Sequence, residues 1–558
     1  MTRPHTATAI ALGAFTLLTY FQFPGHTWLQ QDSQIYVAMF EHLDNPSVLA
    51  RDIVCVHPHV KWTIYDETTR ALHNWSGLSY RNVLDAQMLL FRFFGLAGVF
   101  LIAAAAGLNR LGALFVAFLF GLGAFIGGPE ILTLEYEPVP RGFALMLVLL
   151  ALGYGAFGRW RIAVVLAGIA LLYHPPTSAP FWLAAVVYTI VRRKPTVARN
   201  VLAGYFGGAF LLLIFAAFQT GEHESQPLFA RIPDDLVTLM RYRGAYNWVD
   251  LWKSEWLVQY ALLTAFAAGA WMRLRKAMDH ELTAMSFTLI VYGILSVPLS
   301  WLTLNVMRWS MMPQFQPARA VLFVVAFAII LGAAAGWRAA QAGRWLEATL
   351  WLIPILALPA NRLIAPLFAG AFSQRLLLVR CALIAALAVT AVLILTLSAH
   401  YLPRWPQAAS AALLVPLAAV FLIPGVGQVV NYPPLHTPSL ESLGSWARAN
   451  TRPDSIFHFA DTGRVNAPGV FRIQSLRAVY VDWKGGGQVN QSWAFAREWR
   501  QRWEWANRAQ LPSRPLRDYR QAGIDYLVVD VNVPVLAAAT VYQNDAWRVI
   551  DLSLVDAQ

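Results

Sequence analysis

"AIALGAFTLLTYFQFPGHTWLQQDSQIYVAMFEHL", residues 9–43, contains an apolar run, a Pro-Gly break, a single aspartate and then an amphipathic stretch. Residues 9–23 carry no charge and read as the core of a membrane span. Asp32 follows just outside that span. Which side of the membrane it faces, and what faces it there, depends on how the rest of the chain is threaded.

Similar apolar runs recur along the first three-quarters of the 558 residues. The approximate spans are 7–23, 86–106, 111–127, 142–157, 160–174, 179–191, 200–218, 257–272, 284–303, 317–336, 346–360, 376–399 and 408–425. That makes about 13 transmembrane helices, several of them shorter than the ~20 residues a spanning helix needs. The chain is 57% hydrophobic and 13% charged, where a soluble domain carries about 25% charged residues. The alternating apolar and polar segments of a membrane β-barrel are absent from the sequence. The expected fold is therefore a polytopic α-helical membrane protein.

The net charge is +12. In a soluble chain that would suggest a nucleic acid partner. Here it falls in loops that orient spans and in an Arg-rich tail, so no nucleic acid is expected. Cys55 sits in a polar loop and Cys381 in an apolar run, and together they make neither a disulfide pair nor a zinc set. The basic start and short apolar core of residues 1–23 also fit a signal peptide. With no A-x-A cleavage site, an uncleaved first span is expected.

Short basic loops mark the cytoplasmic side. Taking every second loop from the N-terminus gives Arg3, Arg110, Arg159 with Arg161, "RRKPTVAR" (192–199), "RLRK" (273–276), Arg338 with Arg344, and Arg404. The other set holds the long connections: 24–85, 128–141, 175–178, 219–256, 304–316, 361–375 and the tail. This set faces outward, and Asp32 with it. Residues 1–430 form the multi-span part. After the linker "NYPPLHTP" (431–438), residues 431–558 form a small extracytoplasmic α/β domain. In it "TPSLESLGSWARAN" and "SWAFAREWRQRWEWANRAQ" read as helices, and "SIFHFA", "RAVYVDW", "GIDYLVVDV" and "AWRVIDLS" as strands.

The candidate chemistry gathers at outer membrane ends. "GGPEILTLEYEPVPRG" brings Glu130, Glu135, Glu137 and Arg141 into the second outer loop, where carboxylates between apolar spans need a partner or a purpose. In an extended segment Glu135 and Glu137 point the same way, and two such carboxylates suit a hard divalent cation such as Mg²⁺ or Mn²⁺. A solvated loop with Arg141 pairing one glutamate is the plainer reading. His174, in "LLYHPPTSAPF", is placed either to bind a phosphate oxygen or sugar hydroxyl, or to cap a helix. "NVMRWSMMPQFQPARAVLF" brings Arg308 and Arg319 to an outer end. Their guanidinium groups suit phosphate, or they snorkel to the interface. "KGGGQ" (484–488) lacks the P-loop pattern, so no nucleotide cofactor is expected.

This layout resembles the GT-C superfamily of membrane glycosyltransferases. The resemblance rests on the first span followed by a long outer loop with "QQDSQIY", on "EYE" in the second outer loop, and on the many spans with a C-terminal outer domain. It implies a sugar donor on polyprenyl phosphate, within or beside membrane lipid, and a glycan, lipid or protein acceptor on the outer face. It implies catalysis by Asp32 at the acceptor, a divalent metal at Glu135 and Glu137, and donor-phosphate binding by Arg308 or Arg319; Arg141 and His174 are further candidates for that phosphate. The sequence departs from the pattern in having Ser33 beside Asp32, E-x-E in place of D-x-D, and no W-W-D motif. The Arg-rich style points to a bacterial inner membrane with the tail in the periplasm. A lipid-carrier transporter or flippase and a non-catalytic envelope scaffold are the other classes weighed. Charges gathered at one face, without internal repeats, speak against transport.

Overall fold

The computed structural model describes residues 3–21, 24–56, 62–219, 229–357, 435–460, 463–507, 514–533 and 539–557. The helices of the membrane part are α1 (Arg3–Phe21), α2 (Ser33–Asp44), α3 (Ile53–Val56), α4 (Tyr65–Ser76), α5 (Tyr80–Ala105), α6 (Arg110–Gly121), α7 (Pro140–Ala156) and α8 (Trp160–Tyr173). They continue with α9 (Pro175–Arg192), α10 (Pro195–Phe218), α11 (Asp234–Arg243), α12 (Ser254–Leu274), α13 (His280–Ser300), α14 (Met312–Phe315), α15 (Val321–Gln341) and α16 (Trp345–Ala357). Each expected span from 86–106 to 317–336 overlaps a helix, though 111–127 overruns α6, which ends at Gly121 before a strand at 125–126. The spans 7–23 and 346–360 are helical as far as residues 21 and 357, where the described residues end. The expected spans 376–399 and 408–425 lie outside the described residues. Among the described residues, five helical stretches are long and apolar enough to cross a membrane: Tyr80–Ala105, Pro195–Phe218, Ser254–Leu274, His280–Val306 and Met312–Gln341.

Helix α15 is apolar all round and is buried along nearly its whole length. A helix without a polar face belongs inside a bundle, and α15 packs against α12, α13, α16 and α6. Helices α5 and α7 approach closely because small residues line their contact. A Cβ at Gly98 would lie 2.4 Å from the Leu149 backbone. That approach sets Arg92 of α5 and Arg141 of α7 at the same membrane end.

Among the described residues the two loop sets separate; the expected loop 361–375 and Arg404 lie outside the described residues. On one side Asp279 N donates to Ala105 O (3.1 Å), and Arg273 and Arg344 both pair with Glu347. The opposite end carries the long connections and the tail. The tail contains α17 (Pro438–Asn450), α18 (Ala467–Ser475), α19 (Trp493–Asn507) and α20 (Leu516–Gln521). A short hairpin of β1 (Phe125–Ile126) and β2 (Ile131–Leu132) lies between α6 and α7, and the tail's strands are β3 (Ile456–Phe459), β4 (Ala478–Val479), β5 (Tyr526–Asp530), β6 (Thr540–Gln543) and β7 (Trp547–Asp551). They form one sheet in the order β4-β3-β5-β7-β6, parallel at β4-β3-β5 and antiparallel beyond. The four strands and two helices read from the sequence are all present. Helices α18 and α20 and strand β6 are additions.

The tail does not keep its core to itself. One apolar cluster joins Ile35, Met39 and Val54 of the first outer loop, Leu236 and Trp248 of the 219–256 connection, and Phe495, Trp499 and Leu527 of the tail. Within it lies a charged triad with essentially no exposure. Arg472 Nε donates to Asp52 Oδ2 (2.7 Å), and the Arg472 guanidinium also pairs with Asp482. Each carboxylate oxygen accepts at least one bond: Asp52 also accepts from Val54 N (2.9 Å) and Val479 N (2.8 Å), and Asp482 from Gly485 N (2.9 Å), while Arg472 Nη1 is buried without a partner among the described residues.

Removing one member of such a triad leaves a buried charge without compensation. Arg472→Met is expected to cost roughly 3–5 kcal/mol of stability, read as a lower unfolding temperature in detergent or nanodiscs. Arg452→Gln is the control: its pair with Asp454 is solvent-exposed, so a change within about 0.5 kcal/mol is expected.

Candidate functional site

The entry to α2 is organised from another loop. Asp32 precedes the helix but its own side chain makes no capping bond. Glu137 instead holds the backbone that leads into the helix. Its carboxylate accepts from Gln31 N (2.7 Å) and Asp32 N (2.8 Å), and from the Ser33 hydroxyl. Glu137 is 2% exposed. Burial and the nearby Asp32 raise its pKa, and the Ser33 hydrogen bond works against them.

With its backbone fixed, the Asp32 carboxylate meets two cations. Lys484 Nζ lies 2.6 Å from Oδ1, and Arg141 Nη1 pairs with Oδ2. Burial by itself would raise the Asp32 pKa. Lys484 first and Arg141 second outweigh it and hold the carboxyl far below the usual carboxylate range. Arg141 is shared, because its Nε donates to Glu135 Oε1 (2.7 Å). Arg92 then ties the framework together through backbone carbonyls: Thr19 (2.7 Å) from the end of α1, Gly25 (2.6 Å) and Glu135 (2.8 Å).

Beside this cluster lies a cavity of about 220 Å³. Its lining includes the polar Glu130, Glu135, Arg141, His174, Gln316 and Arg319 and the apolar Leu145, Pro180, Tyr292, Leu299, Leu322 and Phe323. The segment over the cavity is irregular. Helix α13 runs on as a π-helix over Trp301–Val306, and Arg308 and Gln316 both take positive φ. Non-glycine residues in that region store strain that the surrounding fold must hold, a frequent feature of ligand sites. Arg319 emerges from this segment with its guanidinium over the Tyr246 ring (5.1 Å). Its Nε is buried without a hydrogen-bond partner, and no carboxylate pairs with it among the described residues.

The helix-cap reading of His174 is the one the contacts show. The ring caps α9, with Nδ1 accepting from Thr177 N (3.3 Å), and it lines the cavity. Because Nδ1 accepts from a backbone amide, the ring proton belongs on Nε2, which remains as a donor. Burial, with Arg319 and Arg141 close by, pushes its pKa down to about 3.

Arg308 is a correction to the expected set. It does not line the cavity. Its left-handed φ and the bond from Ile232 N to its carbonyl (2.8 Å) turn it outward, where it pairs with exposed Asp234 (2.8 Å). The metal reading also meets an obstacle. Glu135 is directed at Arg141, and both oxygens of Glu137 already accept hydrogen bonds. No group of three or more His, Cys, Asp or Glu side chains converges among the described residues. As arranged, this donor set does not fit a divalent cation, because arginine and lysine occupy the place of its charge.

Two functional residues were missed. Arg92 had a readable signal, a lone arginine inside "LLFRFFGLAG", since an intramembrane charge needs partners. Lys484 is the one lysine after residue 430, but nothing in "DWKGGGQ" says that it reaches a loop more than four hundred residues earlier.

Residues 439–506, which include Arg472, Asp482 and Lys484, match a family described only as a domain of unknown function, DUF6798. No curated protein matches the chain in sequence. In structure the chain is similar to several solved proteins. One is ArnT from Cupriavidus metallidurans in the apo state (13% identity, TM-score 0.46, covering 98% of this chain and 97% of that one). Another is the oligosaccharyltransferase AglB from Archaeoglobus fulgidus with an inhibitory peptide and a dolichol-phosphate (10%, 0.43, 94% and 69%). A third is the arabinofuranosyltransferase AftD from Mycobacteria (14%, 0.47, 99% and 40%). These are likenesses of chain path, and they assign no residue and no reaction.

Glu137→Ala would leave two amides and a hydroxyl near α2 without their acceptor. A loss of about 1–3 kcal/mol is expected, with Glu137→Gln milder, measured by thermal unfolding. His174 gives a pH test. Its folded pKa, about 3, lies below the ordinary 6.5, so the unfolded chain binds the proton first. Stability should therefore fall as pH drops from 6.5 towards 3 and be indifferent to His174 above 6.5. His174→Asn, which retains a cap acceptor, should flatten that part of a pH–melting curve.

Proposed function

We propose that the chain is a membrane glycosyltransferase that moves a sugar from a polyprenyl-phosphate donor to an acceptor on the outer face, in the periplasm of a bacterial inner membrane. The observation that carries this reading is Arg319. It is a cation with no carboxylate partner among the described residues, in a cavity that Glu130, Glu135, Arg141 and His174 also line and whose other lining residues are mostly apolar. A phosphate accepts forked, charge-assisted hydrogen bonds from arginine, and an isoprenoid tail fits between Leu145, Tyr292, Leu322 and Phe323. His174 Nε2 adds a neutral donor to a phosphate oxygen.

In this reading the acceptor hydroxyl approaches from the Asp32 side. Its oxygen bonds to the anomeric carbon, the carbon–phosphate oxygen bond breaks, and the lipid phosphate leaves with the electron pair. Arg141 and Arg319 stabilise the charge that develops there. Asp32 orients the hydroxyl and takes up its proton. That carboxylate is a weak base while both cations hold it, and it gains basicity as Arg141 turns to the phosphate.

Geranylgeranyl phosphate binding to the protein in nanodiscs tests this. Arg319→Met is expected to weaken binding by about tenfold or more, the loss of one charge-assisted contact. Arg308→Met should bind as wild type, and chelation of divalent cations should leave the affinity unchanged. Equal effects of Arg308→Met and Arg319→Met would remove the cavity from the argument.

A further inference from the structure

Lys484 is the least expected member of the site. It comes from the tail, lies outside the cavity lining, and is only 16% exposed. The backbone on both sides of it is pinned. Trp483 O accepts from Arg243 Nη2 (2.6 Å), and the Arg243 guanidinium lies 3.5 Å from the Trp483 ring centroid. Gly485 N donates to Asp482, which is held in turn by Arg472. Gly486 follows with no space for a side chain, since a Cβ there would lie 2.4 Å from the Trp499 ring. The side chain thus leaves a rigid turn and places Nζ 2.6 Å from Asp32 Oδ1 and 3.1 Å from Gln31 Oε1.

Arg141 faces a conflict that Lys484 resolves. Its guanidinium serves Asp32 and Glu135 together, yet it also borders the cavity opposite Arg319. An anion entering there competes with Asp32 for Arg141. A largely buried carboxylate cannot be left without compensation, so the exchange is unfavourable unless a second cation stays with Asp32.

We propose that Lys484 is a positioning residue supplied by the tail: it retains Asp32 through Oδ1 and thereby releases Arg141 to an anionic ligand in the cavity. The identity of that anion as a lipid phosphate rests on the reading given above; the pairing of Lys484 with Asp32 does not.

The test has two arms. In the first, the full-length protein in nanodiscs is treated with an amine-acetylating reagent and labelling at Lys484 is read by mass spectrometry. Wild-type Lys484 should be protected, and Asp32→Asn should raise its labelling by about tenfold, the equivalent of one charge-assisted hydrogen bond. Unchanged labelling overturns the proposal. This arm keeps Lys484 in place, so it stands even where a substitution at 484 impairs folding. In the second arm geranylgeranyl phosphate binding is measured in a double-mutant cycle. Lys484→Met should weaken binding by about tenfold in the wild-type background and have no effect beside Asp32→Asn, while Lys484→Arg should rescue it. Equal weakening in both backgrounds would mean that Lys484 merely attracts anions at a distance, and the proposal would fall. Should wild type not bind the lipid while Asp32→Asn still unmasks Lys484, the lipid-phosphate reading fails and the positioning role is supported.

Discussion

The outer half of this protein depends on a buried ion triad. Asp52 comes from the first outer loop, and Arg472 and Asp482 from the tail. Charges with no exposure are costly to desolvate, and further hydrogen bonds to the paired groups offset part of that cost. Here the donors are backbone amides of both partners, Val54 N from the loop and Val479 N and Gly485 N from the tail. The triad therefore fixes register as well as contact. A tail displaced by a single residue would leave three charges unpaired, whereas the apolar cluster around them would tolerate such slippage more readily.

From that fixed point the site follows by short steps. Asp482 holds the turn that carries Lys484, and Lys484 reaches Asp32. On the membrane side Arg92 gathers the end of α1, the start of the first outer loop and the second outer loop by their carbonyls. Glu137 then fixes the approach to α2. The carboxylate of Asp32 is thus gripped from two parts of the chain that meet only in the folded protein. Each of these contacts is a hydrogen bond to a charged group in a shielded place, where such bonds hold geometry well.

The division of labour between neighbouring residues is physical in origin. Glu135 and Glu137 look equivalent in "EYE", yet one accepts from an arginine and the other from backbone amides. Arg308 and Arg319 look equivalent in their loop, yet one lies in solvent beside Asp234 and the other borders the cavity. A π-helical stretch and two left-handed residues between α13 and α15 produce that difference. Such backbone irregularity leaves little trace in residue type.

The sequence by itself determined that this is a multi-span helical protein, because apolar run length and low charge admit few other solutions. Charge bias in alternate loops set Asp32, the second outer loop and the tail on one side, and strand and helix patterns in the tail were readable for the same local reasons. It also nominated Asp32, Glu135, Glu137, Arg141, His174 and Arg319, all of which the fold brings to one membrane end. Only the tertiary structure decided which of them share a cavity, that Arg141 bridges Asp32 and Glu135, that Glu137 serves the backbone, and that Lys484 completes the cluster. Those outcomes rest on contacts between residues distant in the chain, set by helix packing and a buried triad, and no local pattern encodes them.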